Sequence, residues 1–178
     1  MAAKKSRLRI RRKTGEILLY GAILLIFALW QAAPRGFPTV GGGRPFPLIP
    51  LTVAIAMFVG PVGGAAAGIA AGLLWDLFAF YLFGYHALTL MILACGVGLL
   101  VRLLLRNNTL SAILLMVGAV AVQTLLDWLC FDLLPGGGDA LWLLTHVALP
   151  NVLYTLVLCL PLYGLIRLAT KALRRLDP

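Results

Sequence analysis

Two carboxylates stand inside apolar runs of this chain: Asp76, within "GLLWDLF", and Asp127, within "QTLLDWL". Gln123 precedes Asp127 by four residues, so the pair shares a face if that run is helical. Asn151 opens a further apolar run, "NVLYTLVLCL". Carboxylates and amides in such surroundings serve as a polar clasp between helices, or as a binding pocket or proton relay. An Asp near the centre of a membrane helix costs ~2.5–3.5 kcal/mol on insertion scales, so it normally has a partner, a proton or a wet cavity. His86 and His146 each fall near the end of an apolar run and read as interfacial. Cys95, Cys130 and Cys159 are widely spaced, each in an apolar run, and read as small buried hydrophobes with neither a disulfide framework nor a metal site. No nucleophile–base–orienter set and no metal-ligand spacing is present, so the sequence points to a non-enzymatic protein without a cofactor.

The elements that must carry these residues are membrane helices. Of the 178 residues 62% are hydrophobic and only 12% charged, roughly half the charged share of a soluble domain. Long apolar runs recur and no alternating strand pattern does, which gives an all-α integral membrane protein forming a single polytopic domain over residues 1–178. Six spans are expected, at about 17–33, 47–59, 62–83, 86–105, 110–134 and 150–168. Residues 1–16 form a basic leading segment, its apolar continuation too long for a signal peptide and read as a retained first span, and residues 169–178 a basic tail. The run 140–169 is too long for one straight crossing, so Pro150 is expected to break it and leave "ALWLLTHVAL" along the interface.

The net charge of +9 is concentrated at the ends. If the spans alternate, thirteen Lys and Arg fall on the side of the two termini, against Arg35 and Arg44 on the other. The positive-inside rule then puts both termini in the cytoplasm. Such flanking charge sets topology and touches the anionic headgroups of the lipid bilayer, and no folded basic domain is present to bind nucleic acid.

Counting 1.5 Å per residue puts Asp76 ~22 Å from the turn at Gly60 and Asp127 ~25 Å from the start of the fifth span. Asn151 enters from the opposite side, so Asp76, Gln123, Asp127 and Asn151 are expected in one outer layer. Before Asp76 runs a stripe of glycines at every fourth position, Gly60, Gly64, Gly68 and Gly72. Small residues at this spacing let helix backbones approach closely, either within the protein or with a partner. Because 3.6 does not divide 4, the stripe drifts around the helix, and Asp76 is expected well around from Gly60 with a job separate from the glycines.

The segment "GLLWDLFAFYLFGYHAL" resembles the hallmark segment of the rod shape-determining protein MreD family. There a Gly-rich helix runs into Gly-Leu-Leu, one residue, Asp-Leu, then a Leu-Gly-x-x-Ala-Leu-like turn; the matching parts are Gly72-Leu73-Leu74, Asp76-Leu77, Phe83-Gly84 and Ala87-Leu88. "RPFPLIPLTVAIAMF" resembles the family's Arg-Pro-led second span, with Phe46 where the family often has Asn or Asp. The resemblance is densest over residues 44–106. It implies a non-enzymatic scaffold of the cell-elongation machinery in the bacterial cytoplasmic membrane. Its partners there are MreC, through its transmembrane segment, the glycosyltransferase RodA with a class B penicillin-binding protein, and, indirectly, the actin-like MreB. It also implies a fold similar to the S-components of energy-coupling-factor vitamin transporters, and such a substrate-binding S-component is the alternative reading. Those subunits usually carry an Ala-x-x-x-Ala-like pair in the first span, which Gly21, Ala22 and Ala28 do not form.

Overall fold

The computed structural model describes residues 2–33, 44–79, 82–104, 108–134 and 140–175, with the side chains of 2–13, 140–141 and 174–175 left aside. The predicted loops at 34–43 and 135–139, with Arg35 and Asp139, lie outside the described residues, as does Arg106. Among the described residues there are helices and turns and no strand. The helices are α1 (Ala2–Ala32), α2 (Leu48–Val59), α3 (Pro61–Asp76), α4 (Tyr85–Leu103), α5 (Thr109–Asp127, continued by a π turn over Trp128–Leu133), α6 (Ala140–Leu143) and, after a π turn over Leu144–Ala148, α7 (Leu149–Arg175). Four stretches are long and apolar enough to cross a membrane: Thr14–Ala32, Tyr85–Leu103, Thr109–Leu133 and Leu144–Leu173. That is the pattern of a multi-pass membrane protein.

The centre of the bundle is α2. Residues 48–57 are all buried, as expected of a helix that is apolar around its whole circumference. Pro47 and Pro50 sit at its start, where backbone N–H groups lack helical partners in any case. It is packed by α3, α4, α5 and α7. The outer helices bury one stripe each and leave the rest apolar and exposed. On α5 that stripe is Ala112, Met116, Ala119, Val120 and Gln123, and on α1 it is Tyr20, Leu24 and Ala28.

A single residue joins α2 to α3. Gly60, at φ 90°, ψ −176°, closes α2 through its N–H to the Ala56 carbonyl (2.9 Å), and its own carbonyl accepts from Gly64 N–H (2.7 Å). Pro61 follows at the first position of α3, where its fixed φ fits and its missing N–H costs nothing. So Gly60 is a turn residue: a Cβ there would meet nothing within 4 Å, and it is its backbone that lies in the close approach, 2.8 Å from where a Cβ on Gly98 would stand.

The other three glycines of the stripe are buried against α4. A Cβ at Gly64 would lie 2.9 Å from the Ala94 carbonyl oxygen, one at Gly68 would strike the Leu90 backbone, and one at Gly72 the Ala87 backbone. On α4, Gly98 lies as tightly against Pro61. The two helices therefore run antiparallel, and each step of four along α3 is matched by about four along α4. The stripe is an internal seam, closed to any partner. Its drift does not separate Asp76 from the glycines, because a helix crossing along the ridge of every fourth residue follows that drift.

Two further expectations are corrected. The third span ends at Asp76, seven residues early, because Leu77 and Phe78 close the helix onto the carbonyls of Leu73 and Trp75. Pro150 does not break the last helix either. Its ring displaces the carbonyl four residues back, that of His146, and the helix widens into a π turn over Leu144–Ala148 and continues to Arg175. Trp142 stacks on His146 at 4.8 Å, both exposed at the start of that long helix.

Candidate functional site

The start of α4 explains Asp76. Gly84 holds the N-cap position at φ 93°, a conformation glycine takes freely, but it has no side chain to cap the helix. The cap comes from across the seam. The Asp76 carboxylate accepts from the N–H groups of Gly84 (2.9 Å), His86 (3.3 Å) and Ala87 (3.3 Å). These amides would otherwise be buried without partners, and a negative charge is favoured at a helix N-terminus. Asp76 is thus the fourth member of the seam begun by Gly64, Gly68 and Gly72.

The same carboxylate takes a fourth bond, from His86 Nδ1 at 2.6 Å. Both side chains are nearly inaccessible, at 1% for Asp76 and 4% for His86. Because the carboxylate already accepts three amides, Nδ1 is the nitrogen that carries the proton. The other nitrogen, Nε2, faces Asp127 Oδ1 at 3.9 Å, within ion-pair range and beyond hydrogen-bond range. Asp127 Oδ1 accepts from Gln123 Nε2 at 2.8 Å, the i, i+4 pair expected on one face of α5. Gln123 Oε1 and the Tyr85 hydroxyl, both buried in this region, have no hydrogen-bond partner.

Aromatic rings wall the imidazole. Trp75 stacks on it with centroids 4.4 Å apart and planes 15° apart, and Tyr85 meets it edge-on at 5.1 Å. Phe46 stacks on the Trp75 ring at 5.1 Å. Phe46 is held there from α7: its N–H donates to Thr155 Oγ1 (3.0 Å), and the N–H of Arg44 donates to Asn151 Oδ1 (2.6 Å). Asn151 therefore anchors the segment leading into α2.

Of the four residues expected in one layer, the structure brings Asp76, Gln123 and Asp127 to one place and gives Asn151 a different task. The residue that joins the two carboxylates is His86, buried and not interfacial. Its signal in the sequence was Gly84 at a helix start: a cap position without a capping side chain needs an acceptor from elsewhere. His146 is exposed, bonded to Thr145 Oγ1 at 2.8 Å. Among the described residues no group of three His, Cys, Asp or Glu could hold a metal ion, and Cys95, Cys130 and Cys159 are free thiols.

Chemically, the array is a carboxylate–imidazole–carboxylate chain linking α3, α4 and α5. The group facing Nε2 is a carboxylate, where a hydrolase would place a hydroxyl or thiol. The array can tie three helices together or pass a proton between them. Comparison with protein-family models, with curated proteins and with solved structures finds no match for this chain.

Proposed function

We propose that this chain is a non-enzymatic scaffold of the MreD kind, a subunit of the bacterial cell-elongation machinery that binds the transmembrane segment of MreC. In this reading it couples peptidoglycan synthesis by RodA and a class B penicillin-binding protein to cell shape, with MreB engaged indirectly. One observation carries the reading: the residues on which the resemblance rests form a single structural unit. Gly72 admits the Ala87 backbone, Asp76 caps α4, and Gly84 supplies the positive-φ turn between them. An Asp whose oxygens are spent on three amides and an imidazole suits a rigid joint, which is what a scaffold needs.

The reading includes six crossings in the cytoplasmic membrane with both termini in the cytoplasm. At 1.5 Å per residue α2 and α3 span only about 18 and 24 Å, less than the ~30 Å hydrocarbon core. Two features support counting them. The whole of α3 runs antiparallel to α4, and α2 is enclosed by its neighbours and meets little lipid. The first and last spans also pair on the side expected to be cytoplasmic: Tyr20 Oη and Thr170 Oγ1 are 2.8 Å apart, and Gly15 neighbours Leu173.

The test is co-purification with MreC in detergent. A stable complex is expected, and it should survive Gly21→Leu on the exposed face of α1, where a Cβ would meet nothing within 4 Å. No complex with MreC, together with tight binding of a vitamin by the purified chain, would overturn this reading in favour of an S-component.

A further inference from the structure

Two carboxylates share one imidazole: among the described residues the ion-pair partner of both Asp76 and Asp127 is His86. The proton on His86 Nδ1 is committed to Asp76 Oδ1 at 2.6 Å. A neutral ring therefore turns the bare lone pair of Nε2 toward Asp127 Oδ1, 3.9 Å away. Two acceptors facing each other repel. With a proton on Nε2 the same atoms attract, and an imidazolium lies between two carboxylates. The titratable groups around the ring are Asp76 from α3, Tyr85 from the first turn of α4 and Asp127 from α5, with Cys130 and Asp132 in the π turn beyond it. The α2 helix, which also packs on α4, carries none.

Exposure gives the route to Nε2. The Asp127 side chain is 26% accessible, against 4% for His86 and 1% for Asp76. His86 lies in the first turn of the span Tyr85–Leu103, so the entrance is near a membrane surface. Beyond Asp76 the bonds run to the backbone amides of Gly84, His86 and Ala87, which pass no proton on. Thr52, the polar residue of α2, spends its hydroxyl on the Leu48 carbonyl at 2.7 Å. We infer that His86 Nε2 binds one proton, taken from water on the Asp127 side, and that this proton latches α5 to α3 and α4. The proton adds to the Nε2 lone pair, its donor is hydronium or a buffer acid at the surface, and no group leaves. The array is then a one-sided proton sensor and not a conducting relay. The Nε2–Asp127 attraction exists only with the proton bound, so its stabilising contribution is present at the acid end and is lost as pH rises and the proton leaves. This inference rests on the geometry of the array and stands whether or not the chain binds MreC.

The test is nitrogen NMR of the full chain in detergent micelles, isotope-labelled at histidine. The sequence has two histidines, and His146→Gln, at an exposed position outside the array, leaves His86 as the one imidazole. Over roughly pH 5 to 8, the window in which histidine changes charge, the ring should go from protonation at Nδ1 alone to protonation at both nitrogens as the medium is acidified. Asp127→Asn in the same background should raise the proton concentration this needs by about tenfold or more, because it removes a full charge 3.9 Å from Nε2. The thermal unfolding midpoint should fall more steeply with rising pH when Asp127 is present than in the Asn variant. A neutral ring protonated on Nε2, the same titration with and without Asp127, or equal pH dependence of unfolding in the two proteins overturns the inference. A proton current through the chain in sealed liposomes overturns it as well, because a one-sided site cannot conduct.

Discussion

A buried carboxylate in a membrane helix is explained by the donors it meets. Asp76 meets three backbone amides and an imidazole, so its charge is spread over four hydrogen bonds in a site closed to water. Removing it leaves those amides and His86 without an acceptor. Asp76→Ala should therefore destabilise the chain by about 3 kcal/mol, the range for breaking one side of a buried pair. His86→Ala should cost less, because the carboxylate keeps its three amides. The double variant should be more stable than the sum of the two losses implies, by ~1 kcal/mol or more, since both remove the same contact. Denaturation of the four proteins in detergent micelles measures this, and strict additivity would show that the Asp76–His86 contact adds nothing.

Among the helices, the pairing of α3 with α4 is the tightest joint, and it depends on hydrogen atoms where other residues have side chains. Gly68 and Gly118 make a controlled comparison. Both are helical glycines in apolar runs, but a Cβ at Gly68 meets the Leu90 backbone and one at Gly118 meets nothing within 4 Å. Gly68→Ala should force the helices apart and cost about 3 kcal/mol, at the upper end of overpacking effects. Gly118→Ala should be neutral or stabilise by up to ~1 kcal/mol through helix propensity. Thermal unfolding of the two variants distinguishes a seam from a generic preference for glycine; equal effects would argue against the seam.

The molecule as a whole has polarity along its long axis. Toward one end Tyr20 of α1 bonds Thr170 of α7, and the other end holds the Asp76–His86–Asp127 array. In the proposed topology, with both termini in the cytoplasm, the array faces outward. Single cysteines introduced at positions 3 and 177, in a background lacking Cys95, Cys130 and Cys159, should react with a membrane-impermeant maleimide only after the cells are opened. Labelling of either in intact cells would break the assigned topology.

The sequence by itself determined the solvent and the elements. Its apolar content, its uneven Lys and Arg, and glycines at every fourth position require membrane helices with one close joint, because a bilayer leaves backbone groups no partner except their own helix. Gln123 and Asp127 were legible as a pair because i, i+4 geometry is local. Partners across the fold were not. Counting along helices gave depths, and depth grouped Asn151 with the carboxylates although its side chain accepts from Arg44. Depth also left His86 at a boundary, since where a helix starts depends on what caps it. Only the tertiary structure decided these, because the direction in which each face points is fixed by helix crossing. It is the α3–α4 crossing that carries the glycine seam through to Asp76 and delivers its carboxylate to the start of α4, whose own cap residue has no side chain.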